Sequence, residues 1–195
     1  VIKESVSIKS AAFYELFLPF GDSIATRVRC HHEANGGMSR FEKMPISLGM
    51  AGETATDHAI NTYCKRFGDL VENKVVDSPW VPGVKSYIER NVYKQDFILV
   101  SATPQAEIEN ILELLDFSSH FLSVWGAPTA KSQAIQTMIS HQGYQAGQCL
   151  MVGDAIADLS AANSTSVAFM LRRHDLNGAL FADYNGPFLM DFCSQ

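Results

Sequence analysis

Residues 149–162 read Cys149-Leu150-Met151-Val152-Gly153-Asp154-Ala155-Ile156-Ala157-Asp158-Leu159-Ser160-Ala161-Ala162. An apolar run of strand length meets a glycine, an acid follows at once, and an alanine-rich stretch carries a second acid four residues on. The pattern predicts a buried strand over 150–152, a tight turn at Gly153 and a helix over 157–163. One helical turn returns Asp158 to the side of Asp154, so both carboxylates are expected at one strand end.

Outward from this unit the same alternation repeats. Residues 97–100 (Phe-Ile-Leu-Val), 121–125 and 167–171 read as further strands. Helices are expected over 84–92, from Thr103-Pro104 with Ile108, Ile111, Leu112 and Leu115 on one face, and over 131–141 as far as Gly143. Strands separated by helices of this length predict an α/β fold, a doubly wound Rossmann-like parallel sheet covered on both faces. Ligands of such sheets bind beyond the carboxyl ends of the strands. The residues to inspect are therefore Ser101, the loop 126–131, Asp154 and Asp158.

The first 78 residues differ in texture. Phe13, Leu16, Phe17 and Phe20 form a helical stripe ending at Gly21, and a second helix over 22–33 stops at Asn35-Gly36-Gly37. Ser39 and Glu42 have capping-box spacing, and Ile60, Tyr63, Cys64 and Phe67 make another stripe before Pro79 and Pro82. Up to about residue 78 the chain reads as an all-helical segment with almost no strand signal.

The chain has 195 residues, 47% hydrophobic and 18% charged, with a net charge of -6. This suits one globular α/β domain with an insertion and offers no basic face for nucleic acid. Cys30, Cys64, Cys149 and Cys193 have neither zinc-ligand nor disulfide-framework spacing, which points to reduced thiols and a cytoplasmic setting. No stretch is long and apolar enough to span a membrane, and the N-terminus lacks a secretory pattern.

Individually, the candidate residues each have two readings. Ser101 and Thr103 either cradle an anion with their hydroxyls and nearby N–H groups or cap the following helix. Lys131 opens a helix against the helix dipole, which an anion or carboxylate cluster would explain, while a solvated surface lysine is the alternative. Asp154 and Asp158 suit Mg2+ in a phosphate-handling site, or are an N-cap and an exposed helical acid. His31 and His32 point about 100° apart on a helix and are read as surface or packing residues rather than metal ligands.

Taken together, Ser101, then Lys131, then Gly153-Asp154-x-x-x-Asp158, each at the end of a successive α/β unit, resemble the haloacid dehalogenase-like hydrolases, mostly phosphatases. The resemblance covers essentially the whole chain. It implies that ILVSATP is the family's second motif, with Ser101 and the backbone at Ala102 contacting the phosphoryl group. GAPTAKSQAI would be the third, with Lys131 neutralising phosphate and nucleophile. VGDAIADLSAA would be the fourth, with Asp154 on Mg2+ and Asp158 either supporting the metal or orienting the lysine. The helices over 12–78 would be the cap the family inserts after its first strand, with 1–11 and 79–195 as the α/β core. His32 to Lys43 resembles the cap segment of its β-phosphoglucomutase-like branch, in which Arg40, with Lys43 close by, would hold a distal anionic group. An exposed Arg40 packing over Phe41 is the alternative.

One motif of the family is missing from the sequence. Its first, Asp-x-Asp-Gly, ends the first strand and supplies the nucleophile and the acid/base, and Val1-Ile2-Lys3-Glu4-Ser5 resembles the short stretch just beyond that motif in related sequences. Glu4 corresponds to a residue past the motif and is not expected to be the nucleophile. The absent strand would occupy the middle of the sheet and its loss would leave two open edges. The expected function of the longer protein is a Mg2+-dependent phosphatase of a small phosphorylated metabolite, working through an aspartyl-phosphate, as monomer or homodimer. A non-catalytic binding protein and a sugar phosphomutase are the alternatives.

Overall fold

The computed structural model describes residues 1–193. Four helices come first: α1 (Val6–Phe17), α2 (Asp22–Ala34), α3 (Arg40–Met50) and α4 (Asp57–Asp77). They bury Phe13, Phe17, Val28, Met44, Leu48, Phe67 and Val71 in a common core. Each such side chain removed from water contributes about 1.5–3 kcal/mol, which holds the layer together. Ser39 caps α3, its Oγ accepting from the Phe41 N–H at 3.3 Å, as the spacing leads one to expect. Helix α1 starts at Val6, upstream of the expected boundary at residue 12, and Ile8 already packs on the helical core.

After α5 (Val84–Arg90) the chain alternates: β1 (Ile98–Pro104), α6 (Gln105–Leu114), β2 (Ser123–Ala127), α7 (Lys131–Gln142), β3 (Leu150–Gly153), α8 (Ile156–Ser164), β4 (Ala168–Arg172) and β5 (Phe188–Leu189). Every strand pairing in these ladders is parallel, so the α/β class holds. Two details differ from expectation. β1 runs on through Pro104 instead of ending near residue 100, because Ser101 Oγ accepts the Thr103 N–H at 3.1 Å and a residue before proline favours extended backbone. Thr103 is therefore a buried strand residue, not a helix cap, and α6 starts at Gln105. β5 is two residues long and carries no periodicity to read.

Among the described residues the sheet is in two parts, β1–β2 and β3–β4–β5. β1 and β3 each have a ladder partner on one side only. Beneath the break, Leu99 of β1, Val152 of β3 and Val1 pack on one cluster with Val81, Val84, Leu112 and Phe117. The first residues run alongside the stretch that leaves the helical layer. Glu4 N–H donates to Pro79 O and Val81 N–H to Ile2 O, both at 2.9 Å. Arg172, buried at the end of β4, donates both terminal nitrogens to the Glu4 carboxylate.

Candidate active site

The carboxylates of the opening stretch divide their labour. Gly153 ends β3 where a Cβ would collide with the Asp158 side chain, so only glycine lets α8 fold back this closely. Asp158 is buried, and both its oxygens are engaged. Oδ2 accepts the N–H groups of Asp154 and Ala155, at 3.1 and 3.0 Å, while Oδ1 binds Lys131 Nζ. It thus holds the turn and orients the lysine, and it is not left free as the expected second metal ligand. The charge on Lys131 at the first position of α7, adverse to the helix dipole, is met by this carboxylate.

Asp154 is different. Burial pushes its carboxyl up, but the Val1 ammonium, His174 and Lys131 outweigh this and bring it down to about 2. Its Oδ2 accepts from the Val1 amino group at 3.0 Å, a contact that carries charge only while Val1 has a free ammonium. One hard anionic oxygen, with the other carboxylate of the pair spent elsewhere, fits Mg2+, which takes one or two carboxylates and keeps waters and substrate oxygens. Among the described residues no group of three or more His, Cys, Asp or Glu side chains forms a metal cluster.

Ser101 lies on β1 where the ladder to β2 is irregular, between the pairs Val100–Trp125 and Pro104–Ala127. The irregularity falls on Ser101, Ala102 and Thr103, the residues expected to cradle an anion, and a break in pairing at a strand end is a common way to re-aim side chains. The helical layer closes over Lys131: at Gly37, in the left-handed region with φ 77°, a Cβ would sit 3.1 Å from Lys131 Nζ and 2.9 Å from Ala155 Cβ.

Arg40 is brought to the seam between the layers but is not free. Its Nη2 meets Glu107 Oε1 on α6 at 2.6 Å, Nη1 donates to Cys64 O at 3.3 Å, and the guanidinium lies 4.6 Å from the Phe67 ring centre. It is buried, so neither the expected hold on a substrate anion nor the exposed alternative describes this geometry; it latches α3 to α6. His32 stacks on Phe13 at 4.5 Å and is a packing residue. Burial and the nearby Lys43 and Lys9 charges lower its imidazole to about 3, so it stays neutral.

Lys43 is the residue whose environment the sequence hid. It is buried, its Nζ is 3.0 Å from His32 Nδ1 and 3.3 Å from His32 O, and it has no carboxylate partner among the described residues. Burial first, then the charges of Lys9 and Lys131, lower its ammonium to about 7. The unfolded chain therefore holds more protons between about pH 7 and 10.5, and stability rises with pH across that window. Lys43→Met is expected to cut that rise and to stabilise the protein at pH 7 by about 2 kcal/mol. Urea unfolding at pH 7 and 9.5 checks this; an undiminished rise would assign it to another group, such as Lys9.

With this geometry in view, a family model described as haloacid dehalogenase-like hydrolase matches residues 41–171. The chain belongs to the haloacid dehalogenase-like hydrolases. Within this family it is 30% identical over 118 residues to a 5'-nucleotidase of Pseudomonas aeruginosa, an alignment covering 56% of the chain and 51% of that protein. The chain thus spans about half the length of this curated relative. Among solved structures, a β-phosphoglucomutase from Clostridium difficile superposes with a TM-score of 0.78 at 17% identity, covering 100% of this chain and 88% of that one. A predicted phosphoglycolate phosphatase from Haemophilus somnus gives 0.73 at 16% identity, covering 99% and 91%. Likenesses at such low identity carry the fold, which is the haloacid dehalogenase-like one expected from the motifs.

Proposed function

We propose that this chain carries the phosphate-binding part of a Mg2+-dependent phosphatase acting on a small phosphorylated metabolite. The observation that carries the reading is the convergence of Lys131, held by Asp158, and the Asp154 carboxylate, whose one side-chain partner among the described residues is the Val1 amino group, beside the break between β1 and β3. Ser101 and the Ala102 backbone bind phosphoryl oxygens, and Lys131 neutralises their charge in a site closed to bulk water. Mg2+ on Asp154 would add charge neutralisation at those oxygens. The helical layer acts as the cap that excludes solvent, with Gly37 against Lys131 and Arg40 on Glu107 among its points of contact.

In this reading none of these groups is the nucleophile. The nucleophile of this reading is an aspartate on a further parallel strand seated between β1 and β3, which takes the phosphoryl group and passes it to water. The unpartnered edges of both strands support such a place.

The test compares this chain with a version extended at its N-terminus by a strand ending in Asp-x-Asp-Gly, using p-nitrophenyl phosphate with and without Mg2+. Turnover that needs both the extension and the metal is the expected result. No turnover in either version sinks the phosphatase reading, and rapid turnover by the unextended chain would place the nucleophile within it.

A further inference from the structure

Asn177 lies in the segment after β4, far in sequence from every motif named so far, and is 2% exposed. Both donors and the acceptor oxygen of its side chain are directed at backbone. Nδ2 donates to Asp154 O at 2.9 Å and to Arg172 O at 3.0 Å, and Oδ1 accepts the His174 N–H at 2.9 Å. These partners fix the orientation of the amide, since a flipped group would turn its oxygen on two carbonyls and its NH2 on an N–H.

The Asp154 backbone is thereby gripped on both sides of its Cα. Its N–H is held by Asp158 Oδ2 and its C=O by Asn177 Nδ2, both from buried side chains. With the backbone on either side of its Cα fixed, the direction of the Cα–Cβ bond that carries the carboxylate is fixed as well, which narrows where the carboxylate can reach. Arg172, whose carbonyl shares the same amide, is itself clamped by Glu4 and by Met190 O, so Asn177 ties Asp154 to the rigid end of β4 rather than to a loose loop.

We infer that Asn177 is a positioning residue for cation binding at Asp154, completing with Asp158 a two-sided backbone clamp that aims the Asp154 carboxylate. The inference rests on reading Asp154 as the cation ligand, and it does not depend on whether the chain turns over a phosphate ester.

Mn2+ binding followed by electron paramagnetic resonance tests it on the N-terminally extended chain, in which Val1 carries no ammonium to compete for Asp154 Oδ2. Asn177→Ala is expected to weaken Mn2+ binding about tenfold or more, the usual cost of losing a group that orients a ligand. Phe181→Leu loosens the same segment from a separate apolar cluster and is expected to keep the affinity within about twofold at a comparable loss of Tm. Asn177→Asp adds a sign test and preserves the turn, because its carboxylate still accepts the His174 N–H. Added negative charge alone would tighten Mn2+, whereas loss of the grip on Asp154 O weakens it, and weakening is expected. Equal affinity in Asn177→Ala and the parent, equal losses in Asn177→Ala and Phe181→Leu, tighter binding by Asn177→Asp, or no Mn2+ binding by the parent would each overturn the inference. Should the Mn2+ pattern hold while the extended chain proves inert, the phosphatase reading falls and the positioning role stands.

Discussion

Lys131→Met in the extended, Mg2+-activated chain is expected to lower kcat/KM about a thousandfold, the scale set by removing one preorganised charge-stabilising donor from a desolvated site. The lysine is nearly buried, it is pinned to Asp158, and it lies under the Gly37 turn, so its charge is held in place where phosphate oxygens would sit. The same substitution also removes the counterion of Asp158, which would keep only its two backbone N–H donors. Stripping one partner from a buried pair costs about 3 kcal/mol. Activity loss could then be mistaken for unfolding, and a second variant separates the two. Lys131→Met/Asp158→Asn carries no unpaired charge and is expected to regain most of the stability but none of the turnover. Turnover within tenfold of the parent in Lys131→Met would show that the lysine serves only to hold α8 against α7.

Arg40→Met should produce the largest stability loss of a single substitution at the seam between the layers, about 3–5 kcal/mol, because Glu107 would be left charged and 12% exposed with no partner. The contact of the guanidinium with the Phe67 ring disappears as well. Urea unfolding should show Arg40→Met/Glu107→Leu recovering most of this, since a whole buried pair can be exchanged for apolar side chains at little cost. The double variant also decides what the arginine does for catalysis. With stability restored, KM of the extended chain for phosphate esters is expected to stay where it was if Arg40 is a latch. A rise confined to esters with a second anionic group would return Arg40 to the substrate.

The sequence made the alternation of strands and helices plain because its signals are local: Gly153, the apolar run before it, and the stripes of Phe13 and Phe67 each report their own surroundings. The order of Ser101, Lys131 and Asp154 was legible for the same reason, since each follows a strand of its own. Pairing over distance stayed hidden. Nothing near Arg40 points to Glu107, 67 residues away, and nothing near Lys43 foretells burial without a carboxylate. Asp158 could be placed beside Asp154 by helical period, yet which of metal, lysine or backbone would claim its oxygens depended on where α7 came to rest. Asn177 gave no signal at all. A residue whose work is to hold other residues' backbone leaves no periodicity, and only the fold exposes it.

The break between β1 and β3 also alters how the molecule is held together. In an α/β protein the central parallel strands, laddered on both sides, normally anchor the most persistent structure, and the surrounding helices open first. Here two of the innermost strands carry half their backbone partners, whereas α1 to α4 enclose Phe13, Phe17 and Phe67 with almost no exposure. Hydrogen exchange is therefore expected to spare the amides of α1 to α4 longer than those at the ends of β1 and β3 that lack a second ladder partner.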